Sequence, residues 1–386
     1  LNPAIQIYNH ETIHQLQWPD TEQGGYAKRY LLPILSHSPT AFIENVTTKL
    51  WVLLIDNIVI PFTVNDQEYD NCYVCSPYTH YVTYAKQELA LLQQPVIETI
   101  LAALLNTVGF GLRLGRINQT VHMNNWLLST NLYVNLTSLQ LTAIVDYMSK
   151  RFPTHSLAWR SLNPTTTSAQ LESLAKQGCR MIPSRQIYLL PTDQMGGLPS
   201  KARWLIKRDY SLIEKNGYEL ISPDELKKAD MSRLRDLYNA LYLDKYSRCN
   251  PWFSERFLDL VRQEQLLNLY ALRHIESGRI DAVLGYFNRE GIMTTPVFGY
   301  DTQLPQATGL YRMLSAVLIR LALEHGYLLH ESSGAAQFKR NRGATADIEY
   351  TAIYDQHLPG YRRWGWSLLG SVLNRIGVPI MKKYKF

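Results

Sequence analysis

A carboxylate, an imidazole, two hydroxyls and an ammonium gather in the segment His330-Glu331-Ser332-Ser333 with Lys339 just beyond it. An amine that is to act as a nucleophile at neutral pH must first lose a proton, and Glu331 or His330 could take it. Partial burial would raise the carboxylate's pKa toward that range. Neighbours on a strand point to opposite faces, so only one of the two can enter a given cleft. Glu331 is favoured, and the choice stays open. A second stretch, Gln306-Ala307-Thr308-Gly309-Leu310-Tyr311-Arg312, stands where a helix begins. Backbone N–H groups and the dipole make a helix N-terminus a site for phosphate. Gly309 permits close backbone approach. Thr308 can hydrogen-bond an oxygen, and Arg312 can pair with a phosphate. A plainer reading exists for each: Gly309 starts an ordinary helix, Lys339 lies on a solvated helix face, and the polar strand residues are satisfied within a sheet.

The elements that must position these groups follow from periodicity and breakers. Residues 218–355 read strand, two helices, three strands, helix, strand, short helix, strand. The three strands are Leu269 to His274, Ile280 to Asn288 and Ile292 to Tyr300, joined by turns at Glu276-Ser277-Gly278 and Arg289-Glu290-Gly291. A helix from Gly309 to His325 is closed by Gly326. Strand Tyr327 to Ser332, a helix from Ala335 to Arg342 and strand Asp347 to Tyr354 complete the unit. The first half predicts a hairpin of Leu50 to Ile55 and Ile58 to Val64 around Asp56-Asn57. Strands are expected at Asn71 to Cys75, Trp126 to Leu136, Ser156 to Leu162 and Arg180 to Leu190. Helices are expected at Tyr84 to Leu92, from Pro95 to about Val108, at Thr137 to Lys150 and at Ser168 to Gln177. Pro191 to Pro199 is a loop and a boundary, and a basic helix follows from Ser200 until Gly217 stops it.

Composition narrows the classes. With 386 residues the chain exceeds the size at which one core stops growing, so two domains are expected. Four cysteines are too few for a disulfide framework, and the lone Cys72-x-x-Cys75 pair reads as structural, so no metal site is expected. The most apolar stretch, Val96 to Leu112, is interrupted by Glu98, Thr99, Asn106 and Thr107, which argues against a transmembrane segment. The opening Leu-Asn-Pro-Ala shows no secretory pattern, and a cytoplasmic location is expected. Net charge is +6, and Gly360 to Phe386 alone holds six basic residues (Arg362, Arg363, Arg375, Lys382, Lys383, Lys385) and no acid. Such a face attracts phosphates, nucleic acid, an anionic membrane surface or an acidic protein, or is simply a solvated helix.

The order of elements and two motifs resemble the GNAT acyltransferases. Gln306, Gly309 and Tyr311 stand at the places of that family's Arg/Gln-x-x-Gly-x-Gly/Ala donor loop, and Tyr311 departs from it. Ser332-x-x-Ala335-x-x-Phe338-Lys339-x-x-x-Gly343-Ala344 keeps every spacing of the family's Asn-x-x-Ala-x-x-Leu-Tyr-x-x-x-Gly-Phe, with Ser332 for Asn and Lys339 for Tyr. The segment from Leu198-Pro-Ser-Lys-Ala-Arg to Gly217 resembles the joint between the halves of FemAB-like proteins. Ser332-Ser-Gly-Ala-x-x-Phe-Lys-Arg-x-Arg-Gly-Ala is similar to GNAT-like fatty-acyltransferase maturases of ribosomal peptides.

The resemblance implies an α+β fold of two tandem GNAT-like domains, each a mixed, mostly antiparallel sheet flanked by helices. Residues 1–195 would form a degenerate acceptor- or partner-binding domain, 196–217 a linking helix, and 218–386 the acyltransferase domain with its basic tail. Glu331 would sit where strands splay to admit a thioester. Backbone N–H groups near Val297, Phe298 and Gly299 would polarise its carbonyl, and Lys339 would face the sulfur. Ser332 and Ser333 would bind the donor's pantetheine or carbonyl, and Glu349 and Tyr350 the acceptor. The implied activity moves an acyl group, fatty acyl foremost, from acyl-CoA or an acyl-carrier protein to an amine such as an ornithine or lysine side chain of a peptide. No permanently bound cofactor is expected; acyl-CoA or acyl-phosphopantetheine is a co-substrate. A FemAB-like aminoacyl-tRNA-dependent ligase and a non-catalytic peptide-binding module are the alternatives. Nucleic acid is otherwise disfavoured as a partner, and the oligomeric state is left open.

Overall fold

The computed structural model describes residues 3–192 and 197–384. In chain order the first elements are β1 (Ile5–Tyr8), α1 (Glu22–His37), β2 (Lys49–Ile55), β3 (Ile58–Asn65), α2 (Ala85–Glu88) and α3 (Pro95–Leu114). Next come β4 (Thr120–Met123), α4 (Ser138–Arg151), β5 (Ser156–Leu162), α5 (Ser168–Lys176), β6 (Arg180–Leu190) and α6 (Ser200–Lys215). Then follow β7 (Tyr218–Ile221), α7 (Met231–Asn239), α8 (Glu255–Gln263), β8 (Asn268–His274), β9 (Ile280–Arg289) and β10 (Ile292–Tyr300). The last are α9 (Leu310–His325), β11 (Leu328–His330), α10 (Ala336–Arg340), β12 (Thr345–Tyr354), α11 (Gly360–Val372) and α12 (Val378–Tyr384).

Contacts divide the chain into two units, and the division is not the linear one expected at 195 and 218. Of the described residues, unit 1 holds those as far as Arg185, Cys249–Pro251, and 348–384; unit 2 holds those within Gln186–Arg248 and Trp252–Asp347. The expected boundary at residue 195 lies outside the described residues. Each half sends part of its last strand into the other half's unit: β6 passes into unit 2 at Gln186 and β12 into unit 1 at Ile348. The C-terminal half's β12 pairs antiparallel with β5, with Ala352 opposite Trp159. The N-terminal half's β6 pairs antiparallel with β11, with Leu329 opposite Leu190. No local sequence pattern encodes such an exchange, because a strand's own periodicity is the same whichever neighbour it pairs with.

In unit 1 the strand order is β1-β2-β3-β4-β5-β12, with only β4–β5 parallel among its pairs. Ile55 faces Ile58 across a two-residue turn in which Asp56 takes a φ of 51°, as the Asp-Asn pair requires. Helix α4 begins with a capping box between Thr137 and Gln140 and buries Leu141, Ile144, Val145 and Met148 on the sheet. Two expectations fail here, and one helix is unforeseen. Asn71 to Cys75 forms turns, with Cys75 N–H donating to the Cys72 carbonyl at 3.0 Å. Both thiols are buried, and burial pushes Cys75 up to about 12. The Trp126 to Leu136 stretch is irregular, and the strand lies earlier, at β4. Side-chain amides serve its backbone: Trp126 N–H donates to Asn131 Oδ1, and Asn124 Nδ2 donates to the Leu132 carbonyl. Helix α1, with Pro33 inside it and Gly24 against Pro19, escaped a periodicity reading. Glu349 also moves: it belongs to unit 1 and is held by Arg185 through two 3.0 Å bonds, so it is no free acceptor contact.

Unit 2 carries the order β6-β11-β10-β9-β8-β7, antiparallel except for β10–β11. Helix α9 lies in its core, burying Leu310, Met313, Leu314, Val317 and Leu318. The backbone of α7 passes so close to β10 that a Cβ on Gly299 would lie 2.5 Å from the Leu237 carbonyl carbon and oxygen. Gly299→Ala must therefore push α7 off the sheet. We expect a loss of about 2 kcal/mol or more in chemical unfolding. Both units share the α+β plan of a mixed, mostly antiparallel sheet flanked by helices.

Candidate active site

The site forms where two strands of unit 2 part. Strands β10 and β11 run parallel only from Ile292/Leu328 to Thr294/His330. Beyond that point the register of β10 on β9 slips between Thr294 and Val297, which marks a bulge at Thr295-Pro296. Pro296 lacks an N–H, which suits a place where the ladder is interrupted. From Val297 to Tyr300 β10 keeps β9 on one side and has no described strand on the other. Successive N–H groups from Val297 to Tyr300 alternate between β9 and that open side, so the expected donors Val297, Phe298 and Gly299 cannot all face it.

Glu331 follows the last residue of β11. Its N–H donates to the Tyr188 carbonyl at 2.9 Å, which ties the turn to β6. The residue is half-buried, yet Oε2 is sealed from solvent and has no hydrogen-bond partner. Burial pushes the carboxyl up to about 7, against the opposing pull of Lys339 and Arg342. A carboxylate left unpaired and poised near neutrality is a proton acceptor waiting for a donor. His330 is 1% exposed, and its Nδ1 accepts from the Ser332 N–H at 3.2 Å.

Lys339 departs from its expected place. Its Nζ donates to the carbonyls of Glu331 (2.5 Å), Ser332 (3.4 Å) and Ser333 (2.8 Å). An ammonium has three donors, and all three are engaged on the loop. The loop needs them: Ser332, Gly334 and Ala335 hold φ of 59°, 77° and 49°, which turns successive carbonyls inward. Lys339 thus holds together the turn that carries Glu331. Ser332 is held at both backbone ends, its carbonyl also accepting from Tyr188 N–H at 3.0 Å. Gly343 closes α10 at φ 98°, with Leu198 packed where a Cβ would be.

The helix start at Gln306–Thr308 is a 3-10 turn, and Gly309 caps α9 with φ 77°. Thr308's carbonyl accepts from Asn216 Nδ2 at 2.9 Å, leaving the first amides of α9 directed outward along its axis. Arg312 is not free to meet a phosphate alone. Its Nε and a terminal nitrogen donate to Asp209 Oδ1 at 2.8 and 2.7 Å. Arg208 reaches the same oxygen at 3.0 Å, and Arg342 holds Oδ2. Asp209 is fully buried. Burial raises its pKa, but hydrogen bonds from Arg342, Arg312 and Arg208 outweigh that and hold it below the usual range. One anion under three guanidiniums leaves a net positive cluster beside the α9 N-terminus. Tyr311 packs its ring on Phe338 (4.8 Å between centroids), Phe298 (5.6 Å) and Tyr300 (6.3 Å). Burial, then the charge of Glu331, raises its phenol pKa.

Solved structures similar to this chain include L-PGS from Bacillus licheniformis, at 16% identity over 60% of this chain and 78% of that one, with a TM-score of 0.45. FemX is similar at 9% identity over 57% of this chain and 78% of its own, TM-score 0.43. A tandem GNAT protein from the clavulanic acid biosynthesis pathway is similar over 93% of this chain and 99% of its own, at 9% identity and TM-score 0.39. No family model and no curated protein matches the sequence. With TM-scores below 0.5, these likenesses carry neither substrate nor residue roles over to this chain.

Asp209 is missing from the residues the sequence points to, and Arg342 enters there only within the basic run Lys339-Arg340-Asn341-Arg342 that would suit an acidic carrier protein or phosphates. A signal existed for the first: Asp209 falls in the apolar stripe Ala202, Leu205, Ile206, Ile213 of an otherwise basic helix. Among the described residues no group of three or more His, Cys, Asp or Glu side chains could hold a metal ion.

Proposed function

We propose that unit 2 is an N-acyltransferase that moves an acyl group from a thioester to an amine. The observation that carries this is Glu331 Oε2, sealed and unpartnered at the parting of β10 and β11, on a carboxyl poised at about 7. The ammonium of the acceptor gives a proton to Glu331, and the freed amine attacks the thioester carbonyl. The C–N bond forms, the tetrahedral oxyanion is met by backbone N–H of the open side of β10, and the C–S bond breaks. Tyr311 protonates the departing thiolate and, as phenolate, takes back the second proton that the acceptor nitrogen loses on becoming an amide. Glu331 then passes the acceptor's proton to solvent.

The donor's phosphates would lie at the α9 N-terminus by the arginine cluster, as the phosphates of acyl-CoA or of an acyl-carrier protein's phosphopantetheine. The aromatic wall of Phe298, Tyr300, Tyr311 and Phe338 suits an apolar chain, which favours a fatty acyl group. The acceptor would be an amine side chain such as ornithine or lysine in a peptide, and the reaction would be cytoplasmic. The test is intact-mass detection with acyl-CoAs of graded length and peptides bearing ornithine or lysine. One acyl increment on the amine with equimolar release of free thiol is expected. Product formed only from a charged tRNA would replace this reading with an aminoacyl ligase, and no free thiol from any donor would overturn it.

A further inference from the structure

Helix α3 of unit 1 has one face that the core accounts for and one that it does not. Val108, Gly109 and Leu112 are buried, and Gly109 sits against Tyr78 and Val82. The opposite face repeats Val96, Ile100, Ala103, Phe110 and Leu114, at intervals that return to one side of a helix, and all are exposed. Val96, Ile100, Phe110 and Leu114 are 74%, 63%, 68% and 63% accessible. This stripe is about 27 Å long at 1.5 Å per residue. Among the described residues α3 is the one helix long and apolar enough to cross a membrane, yet only 22% of its apolar window is buried. Glu98 to Thr107, expected to interrupt it, are accommodated without a break.

The stripe continues onto α11. Gly111 leaves room for the Trp364 ring, itself 55% exposed, and Gly115 meets Gly365. From there the chain stays helical through a π-helical turn at Leu373–Gly377 into α12. Arg363, Arg375, Lys382 and Lys383 are exposed along it, and no acid follows Asp355 in the sequence. An apolar stripe thus touches an acid-free cationic helix. A second copy of the chain would bring an identical cationic run against this one. An anionic lipid surface matches both features together, acyl chains for the stripe and headgroups for the cations. Spanning the bilayer would require α3 to leave the core, and Arg113 to leave the rings of Tyr69 and Tyr78, over which it stacks at 4.8 and 4.5 Å.

We propose that α3 and the C-terminal helix dock this protein onto an anionic bilayer, with α3 lying in the plane of the interface. The proposal stands on unit 1 and is independent of acyl transfer, so a vesicle experiment succeeds or fails without turnover. The full chain is sedimented with vesicles of phosphatidylcholine alone and of phosphatidylcholine containing phosphatidylglycerol. Binding to the anionic vesicles is expected, falling as salt rises, with about a five-fold loss for each of Arg375 and Lys382 changed to Gln. Ile100→Asp with Phe110→Asp should abolish binding while leaving the melting temperature unchanged. No binding by the parent chain, or unchanged binding by that double variant, overturns the proposal. So does a variant that merely converts a dimer to a monomer, or one that loses an acidic carrier protein while keeping vesicles.

Discussion

Glu331→Gln is expected to lose at least about a hundred-fold in kcat/KM while changing the pH dependence of stability in the opposite sense. The loss follows from removing the base, an effect of about 10²–10⁴ in well-characterised cases. The parent's kcat/KM should rise with pH through about 7 as the carboxyl ionises, and the variant should lack that limb. The stability effect has a definite sign. The carboxyl's pKa is raised in the folded protein, so the fold favours its protonated form. Stability is then greatest below the ordinary 4.5 and falls as pH rises to about 7. The whole displacement corresponds to about 3 kcal/mol at 1.36 kcal/mol per pKa unit. Gln carries no such penalty, although its buried amide offsets part of the gain. The stability difference between variant and parent should move in the variant's favour by about 3 kcal/mol between pH 4 and pH 8, read by urea unfolding at each pH. A difference that stays flat across that window would mean Glu331 is not a buried, perturbed base.

Asp209→Asn should be the most damaging substitution in unit 2 that touches no substrate. Asn keeps the shape but turns one acceptor into a donor facing guanidiniums. Arg342, 4% exposed, and the half-buried Arg312 would be left without their counter-charge. Removing one partner of a buried ion pair costs about 3–5 kcal/mol. Asp209 links α6 to the first turn of α9 and to the end of α10, so those two elements lose their common anchor. The donor loop at Gly309 and the Glu331 turn are both expected to loosen, lowering activity together with stability. The pH sign is opposite to that of Glu331. A carboxyl held below its usual range stabilises above the unfolded value of 3.8 and loses that contribution as pH falls through the folded pKa. The parent should therefore weaken steeply below about pH 4, and the Asn variant, already destabilised, should show less of that acid limb.

Much of unit 2 could be read from the chain itself. Strong alternation with Glu-Ser-Gly and Arg-Glu-Gly turns fixed β8, β9 and β10 to within a residue or two, and Gly309 and Gly326 bracketed α9. Those signals are local: a turn needs its φ, and a helix needs its caps. Glu331 was reachable for the same reason, because it is the polar residue at the end of a short apolar strand. The N-terminal half was less legible. Helix α1 contains Gly24, Gly25 and Pro33, and the Trp126 to Leu136 stretch has strand-forming residues whose backbone is served by asparagine side chains instead of a neighbour.

Only the tertiary structure decided what the charged groups do. Sequence placed Lys339 and Arg312 where a thioester and its phosphates would want cations. Three carbonyls of a left-handed turn claim the first, and a single aspartate a hundred residues away claims the second. It also decided that β6 and β12 are exchanged between the units, and that an apolar stripe of α3 faces outward. Periodicity says which face of an element is apolar, and composition says which charges exist. Which partner meets each of them is set by pairings between residues far apart in the chain, and no local rule carries that information.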